Sequence, residues 1–137
     1  MKAIREVYPD AQDKDDGYFW STGDYQPLLN SFGFEIAIQV DDSDYQGDSR
    51  LLFRDGDKVG LLTFGWGSCS GCDSLQACNS YDDIEQLRDA LAADIKWFES
   101  KKECLEYVTQ KDWQLDYAWH QDETKKFIAE VIEYLEK

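Results

Sequence analysis

The sequence predicts an α+β fold, with a three-stranded antiparallel meander at about 34–64 packed against two or three C-terminal helices at about 82–99, 101–110 and 122–136. Three observations predict it. Phe34, Ile36, Ile38 and Val40 alternate with Glu35, Ala37 and Gln39, the period of two of a half-buried strand. Asp55-Gly56 stands between two further apolar runs as a two-residue hairpin turn, in which positive φ is required at both positions. From Ser80 onward the apolar residues recur at helical spacing, and serines stand where helix caps belong. Strands first and helices afterwards place the helices on one face of an antiparallel sheet.

Taken in order, residues 1–33 mix acids, glycines and aromatic residues (Tyr18, Phe19, Trp20, Tyr25, Phe32), with Pro9 and Pro27 as breaks. They read as a short helix or extended piece followed by an irregular segment pinned by its rings. The first strand runs to Val40, and the acidic turn DDSDYQGDS leads to Leu51, Leu52 and Phe53. After the Asp55-Gly56 turn, Val59, Leu61 and Thr63 alternate with Gly60, Leu62 and Phe64. Ser80 with Asp83 three residues later caps a helix that carries Ile84, Leu87, Leu91, Ile95 and Phe98. Ser100 and Glu103 repeat that pattern before Cys104, Tyr107 and Val108, and Phe127, Ile128, Val131, Ile132 and Leu135 form the stripe of the last helix. No repeat, linker or low-complexity tract divides the chain, so residues 1–137 read as one domain.

The chain has 137 residues, of which 42% are hydrophobic and 15% aromatic, enough to fill a core and to argue against disorder. The N-terminal stretch MKAIREVYPDAQDKDD lacks the apolar centre of a secretory signal, and no run approaches the ~20 apolar residues that cross a bilayer. A cytoplasmic protein without membrane contact is expected, with its four cysteines as thiols or metal thiolates. Charge is the dominant bulk property: 29 acids against 14 bases give a net charge of −15. The excess runs through the whole chain instead of forming a tail. Such a surface repels nucleic acid and anionic lipid and accelerates encounters with basic proteins.

The sharpest local motif is FGWGSCSGCDSLQAC, with Cys69, Cys72 and Cys78 spaced C-x2-C-x5-C. Three readings stand open for it. Two thiolates on a glycine-bearing turn can hold zinc, with Cys78 and either Cys104 or His120 completing four ligands. A C-x2-C pair can be a redox dithiol, although Asp73 beside Cys72 opposes the thiolate and no βαβ pattern surrounds it. The third reading is small buried thiols that pack at a turn. Asp42–Asp48 begins like a calcium loop, but Phe53 holds the twelfth place, where a bidentate glutamate belongs, so a solvated acidic turn is expected. His120 is the only histidine, and the P-loop, the dinucleotide glycine fingerprint and HExxH are all missing. Nothing in the sequence supports an enzyme. Trp66, Trp97, Trp113 and Trp119, with Tyr107 and Tyr117, make the second half rich in rings that serve cores and interface anchors alike.

The succession of a strand hairpin, GWGSCSGCDSLQAC, an acidic amphipathic segment ending IKWF, a DW…WH segment and a final helix resembles an uncharacterised family of small acidic proteins encoded by phages and prophages. The resemblance covers roughly residues 34–135, and Ser68 to Asp73 is its most specific part. It implies a phage context and brings no catalytic residues. In that context a small acidic protein is expected to inhibit a host defence or nucleic-acid-handling protein, as anti-CRISPR proteins and DNA mimics do. The expected partner is a basic surface on such a protein, not nucleic acid itself. The expected contact residues are Asp41, Asp42, Asp44 and Asp48 on the turn, with Asp82, Asp83, Glu85 and Asp89 on the following helix. No cofactor is expected apart from the zinc candidate on Cys69, Cys72 and Cys78. The alternatives are a zinc-stabilised or thiol-active module built on those cysteines and a phage assembly component.

Overall fold

The alternation beginning at Phe34 opens a four-stranded antiparallel sheet of order β1-β2-β3-β4 in an α+β fold. In chain order the elements are α1 (Ile4–Val7), α2 (Gln26–Asn30), β1 (Glu35–Asp41), β2 (Gly47–Asp55), β3 (Lys58–Trp66), α3 (Tyr81–Asp94), β4 (Lys96–Phe98), α4 (Lys101–Gln110) and α5 (Gln121–Leu135). This computed structural model describes residues 3–9, 11, 24–43, 46–67, 73–113 and 121–137. The chain groups into two compact units, Met1–Gly33 with Trp66–Asp94 and Phe34–Gly65 with Ile95–Lys137.

The second unit is the one the periodicities describe. β2 and β3 are joined at Gly56 and Asp57, one residue later than the sequence places the turn, with Gly56 at φ +63. All four residues from Arg50 to Phe53 are buried, because both faces of β2 are covered. On one face Val40, Leu52 and Val59 meet Cys104 and Val108 of α4 and Phe127, Val131 and Leu135 of α5. Burying a side chain of this size contributes about 1.5–3 kcal/mol, so this cluster is the main source of the unit's stability.

The expected helix over 82–99 is shorter than predicted. It stops at Asp94, and Lys96–Phe98 pairs instead with β3 in the register Val59↔Phe98, Gly60↔Trp97 and Leu61↔Lys96. Ile95 and Phe98 continue the helical spacing of Leu91 only by coincidence, and sheet pairing overrides it. Gly60 makes the pairing possible. A Cβ there would stand 2.6 Å from Ile95 Cγ2 and 2.9 Å from the Trp97 ring. Trp97 also packs edge-on to Phe34, with centroids 4.8 Å apart.

The first unit is built from two short helices, α1 and α2, the longer α3, and long-range tyrosine hydrogen bonds. Leu28, Leu29, Leu75 and Ile84 are fully or almost fully buried within it. Tyr8 Oη donates to the Asp24 carbonyl at 2.7 Å, and Tyr81 Oη donates to the Tyr8 carbonyl at 2.9 Å. Ser80 caps α3 as expected, its Oγ accepting from the Asp83 N–H at 3.1 Å.

Candidate functional site

Of the eight carboxylates expected to form one contact surface, seven lie among the described residues, and the sharpest contrast is between Asp42 of the β1–β2 connection and the acids of α3. At the β1–β2 connection, Asp42 is not solvated. Its side chain is 0% exposed and accepts from Arg50 Nη1 at 2.8 Å, with Arg50 itself 4% exposed. The second carboxyl oxygen accepts from the Asp48 N–H at 2.8 Å. The Asp42 N–H donates to the Asp48 carbonyl at 3.0 Å, which extends the β1–β2 ladder past Asp41↔Ser49. Two charges buried in contact hold each other in place, because either one alone would carry the full desolvation penalty. The expectation of a solvated turn is therefore corrected at Asp42, which presents no charge to a partner.

Of the other turn residues, Asp41 is exposed and accepts from Gln39 Nε2 at 3.1 Å, and Asp48 is half-buried. Asp44 lies outside the described residues.

On α3 the acids point the other way. Asp82, Glu85 and Asp89 are exposed and stand three and four positions apart, so they share one stripe about 10 Å long. Asp83 leaves that stripe to cap the helix, its Oδ2 accepting from the Asn79 N–H at 3.0 Å. Arg88 flanks the stripe from a buried position, 4.0 Å from Glu85 and 3.9 Å from Asp89. One guanidinium set against three acids leaves the stripe negative. Asp82 and Asp83 in the first turn also complement the positive end of the helix dipole.

The cysteine motif divides between described and undescribed residues. Cys69, Cys72 and His120 lie outside the described residues. Cys78 is buried, its thiol donates to the Ser74 carbonyl at 3.4 Å, and burial pushes its pKa up to about 11, with the charges of Asp83 and Asp73 adding to the effect. Cys104 is 0% exposed inside the apolar cluster of α4 and α5, and burial pushes its thiol up to about 12. Cys104 packs as part of that apolar cluster. Among the described residues, no three His, Cys, Asp or Glu side chains are grouped so as to hold a metal ion.

The residue of this motif that sequence reasoning missed is Asp73. It is buried, and Oδ2 accepts from the Gly67 N–H at 2.9 Å while Oδ1 accepts from Tyr25 Oη, also at 2.9 Å. Oδ1 also accepts from the N–H groups of Leu75 at 2.9 Å and Gln76 at 3.1 Å. Gln76 Nε2 returns a bond to the Gly67 carbonyl at 3.1 Å. Asp73 thus clasps Gly67 to the 73–76 turn. An Asp followed by Ser-Leu-Gln is a signal for a side chain capping its own turn, whereas nothing local points to Tyr25, which is distant in sequence. Burial pushes the Tyr25 hydroxyl above its ordinary value, and the Asp73 charge adds to the shift.

A groove lined by described residues of the second unit has a volume of about 350 Å³. Ala37, Ile38 and Gln39 of β1 form one wall, and Glu130, Glu133, Tyr134 and Lys137 of α5 form the other.

No helix among the described residues is long and apolar enough to cross a membrane. No family model, curated protein or solved structure matches the chain.

Proposed function

We propose that the protein is a non-enzymatic binding protein whose outward carboxylates occupy a basic surface of a nucleic-acid-handling partner. The observation that carries this reading is the stripe of Asp82, Glu85 and Asp89 on α3, exposed and anchored by a capped helix. Its acids lie about 5 Å apart along the axis, a charge repeat of the same order as the ~3.4 Å per phosphate of one DNA strand. Several of the protein's own cations already have partners within the chain, although only Arg50 of these is buried. Arg50 is buried on Asp42, Arg54 and Lys58 sit near Glu35 and Glu99, and Arg5, Lys96, Lys101 and Lys111 lie over aromatic rings. The resemblance to small phage and prophage proteins narrows the reading to an inhibitor of host defence or nucleic-acid-handling machinery, anti-CRISPR-like or DNA-mimic-like, acting in the host cytoplasm. Direct nucleic-acid binding has no place in it, because like charges repel.

Affinity capture from host lysate at low and high salt, with the wild type and with the triple variant Asp82→Asn, Glu85→Gln, Asp89→Asn, tests the proposal. Basic nucleic-acid-handling proteins retained by the wild type at low salt, and lost both with the variant and at high salt, support it. The same proteins retained in all four conditions would contradict it, since displacement by salt is the signature of ionic attachment.

A further inference from the structure

Five aspartates of the chain precede glycine or serine, whose backbone amides meet little steric hindrance in attacking the neighbouring carboxyl group: Asp16, Asp42, Asp48, Asp55 and Asp73. Asp16 lies outside the described residues, and the fold separates the other four. Asp42 is held by Arg50 and by the Asp48 N–H. Asp73 accepts from Gly67, Tyr25, Leu75 and Gln76. Asp48 precedes Ser49, which is buried and paired with Asp41 across the β1–β2 ladder. Asp55 differs from all three. Both it and Gly56 are exposed, and its carboxylate has no hydrogen-bond or ion-pair partner among the described residues. Gly56 is the first of the two turn residues, so its N–H stands outside the β2–β3 ladder. It carries no side chain, and a Cβ there would meet nothing within 4 Å, so the nitrogen is open to approach.

We infer that the Asp55–Gly56 bond is a modification site, at which the backbone isomerises through a cyclic imide. The Gly56 nitrogen attacks Asp55 Cγ and the N–Cγ bond forms. The protonated carboxyl group loses its hydroxyl and the amide loses its hydrogen, and the two leave together as water. Water then adds at one of the two imide carbonyl carbons. Addition at Cγ breaks the N–Cγ bond and restores aspartate. Addition at the main-chain carbonyl carbon breaks the original peptide bond, so the chain runs through Cβ and Cγ and the main-chain carboxyl group becomes the side group. One water leaves and one enters, and no oxidant or other reactant takes part. The fold sets the pace. Asp55 ends β2 in extended conformation, and Arg54 Nε donates to the Gly56 carbonyl at 3.1 Å, so attack waits for the hairpin tip to open. The product inserts one more backbone carbon just before Lys58, which sits 3.7 Å from Glu99, and Val59, which pairs with Phe98 of β4. Its charge is unchanged, so the site is independent of the α3 contact proposed above.

The test incubates the full, folded chain at physiological temperature and pH in water enriched in oxygen-18, then maps it by mass spectrometry. Each passage through the imide leaves one heavy oxygen on the residue, and an aspartate-specific endoprotease no longer cleaves before the isomerised product. Heavy oxygen and lost cleavage are expected to grow together at residue 55, with residues 42, 48 and 73 unlabelled. Arg54→Ala is expected to speed labelling by on the order of two- to tenfold, the effect of removing one hydrogen bond that holds the tip. Asp55→Glu is expected to show no label at that position, because its longer side chain would have to close a larger ring. Label at residue 55 only after the protein is unfolded in urea would overturn the site, since the hairpin would then protect the bond. Equal labelling of residues 42, 48, 55 and 73 in the folded protein would overturn the selection by the fold, and equal rates in Arg54→Ala and the wild type would overturn the control by the tip.

Discussion

The segments 41–48 and 82–89 are equally acidic in sequence and use their charge in opposite ways. In the first, Asp42 turns inward onto Arg50 and fastens β1 to β2. In the second, Asp82, Glu85 and Asp89 turn outward along α3, and Arg88 stays buried beside them. The local architecture decides the difference. A strand pair brings Asp42 and Arg50 together on one face, where water is excluded and a close pair is the only stable arrangement for either charge. A surface helix separates its residues by direction, so its apolar stripe, Ile84 and Leu91, goes inward and its acids are left in solvent. Acid content therefore says little about display until the element is known.

Substitutions that separate the two segments break this comparison most strongly at Arg50. Arg50→Ala strands a carboxylate that is 0% exposed, and a loss of about 3–5 kcal/mol in urea-unfolding stability is expected. Gly47→Ala comes next. A Cβ there would stand 2.6 Å from Asp42 Cβ, so the turn must shift, at about 1–3 kcal/mol by the same measurement. Ser80→Ala removes the α3 cap and is expected to cost about 1 kcal/mol.

The pH response sharpens the comparison through Cys78, which lies beside Asp83. Unfolded, its thiol ionises near 9, and folded it keeps its proton to about 11. Between those values the folded state holds more protons than the unfolded one, so stability falls as pH rises from 9 towards 11. Cys78→Ala should flatten that part of the urea-midpoint profile relative to the wild type. The smallest effect is expected on α3 itself. Neutralising Asp82, Glu85 and Asp89 together should change stability by no more than about 0.5 kcal/mol per site, although it abolishes the proposed contact.

The sheet unit was legible because its signals are local. Alternation placed β1 and β3, glycine placed the turn, and Ser100 with Glu103 placed α4, whose Ser100 Oγ accepts from the Glu103 N–H at 3.3 Å. β4 was not legible, since Ile95 to Phe98 fits a helical stripe until Gly60 of another strand opens room for Trp97. The first unit resisted reading for the same reason on a larger scale. Its hydrogen bonds join Tyr25 to Asp73 and Tyr81 to Tyr8, across separations that no periodicity spans. Among the contact residues, the α3 acids could be assigned a direction from helical spacing alone. Asp42 could not, although an arginine alone among the acids of DDSDYQGDSR is the trace that its ion pair leaves in the sequence.

The most direct measurement is the near-surface electrostatic potential, residue by residue, from amide-proton relaxation with cationic and anionic paramagnetic cosolutes. The α3 positions 82, 85 and 89 should report the strongly negative potential of an outward row of carboxylates, and positions 47–50 a markedly weaker one. Equal potentials at the two segments would contradict the contrast between them, and a weak potential at positions 82, 85 and 89 would take away the basis of the proposed contact.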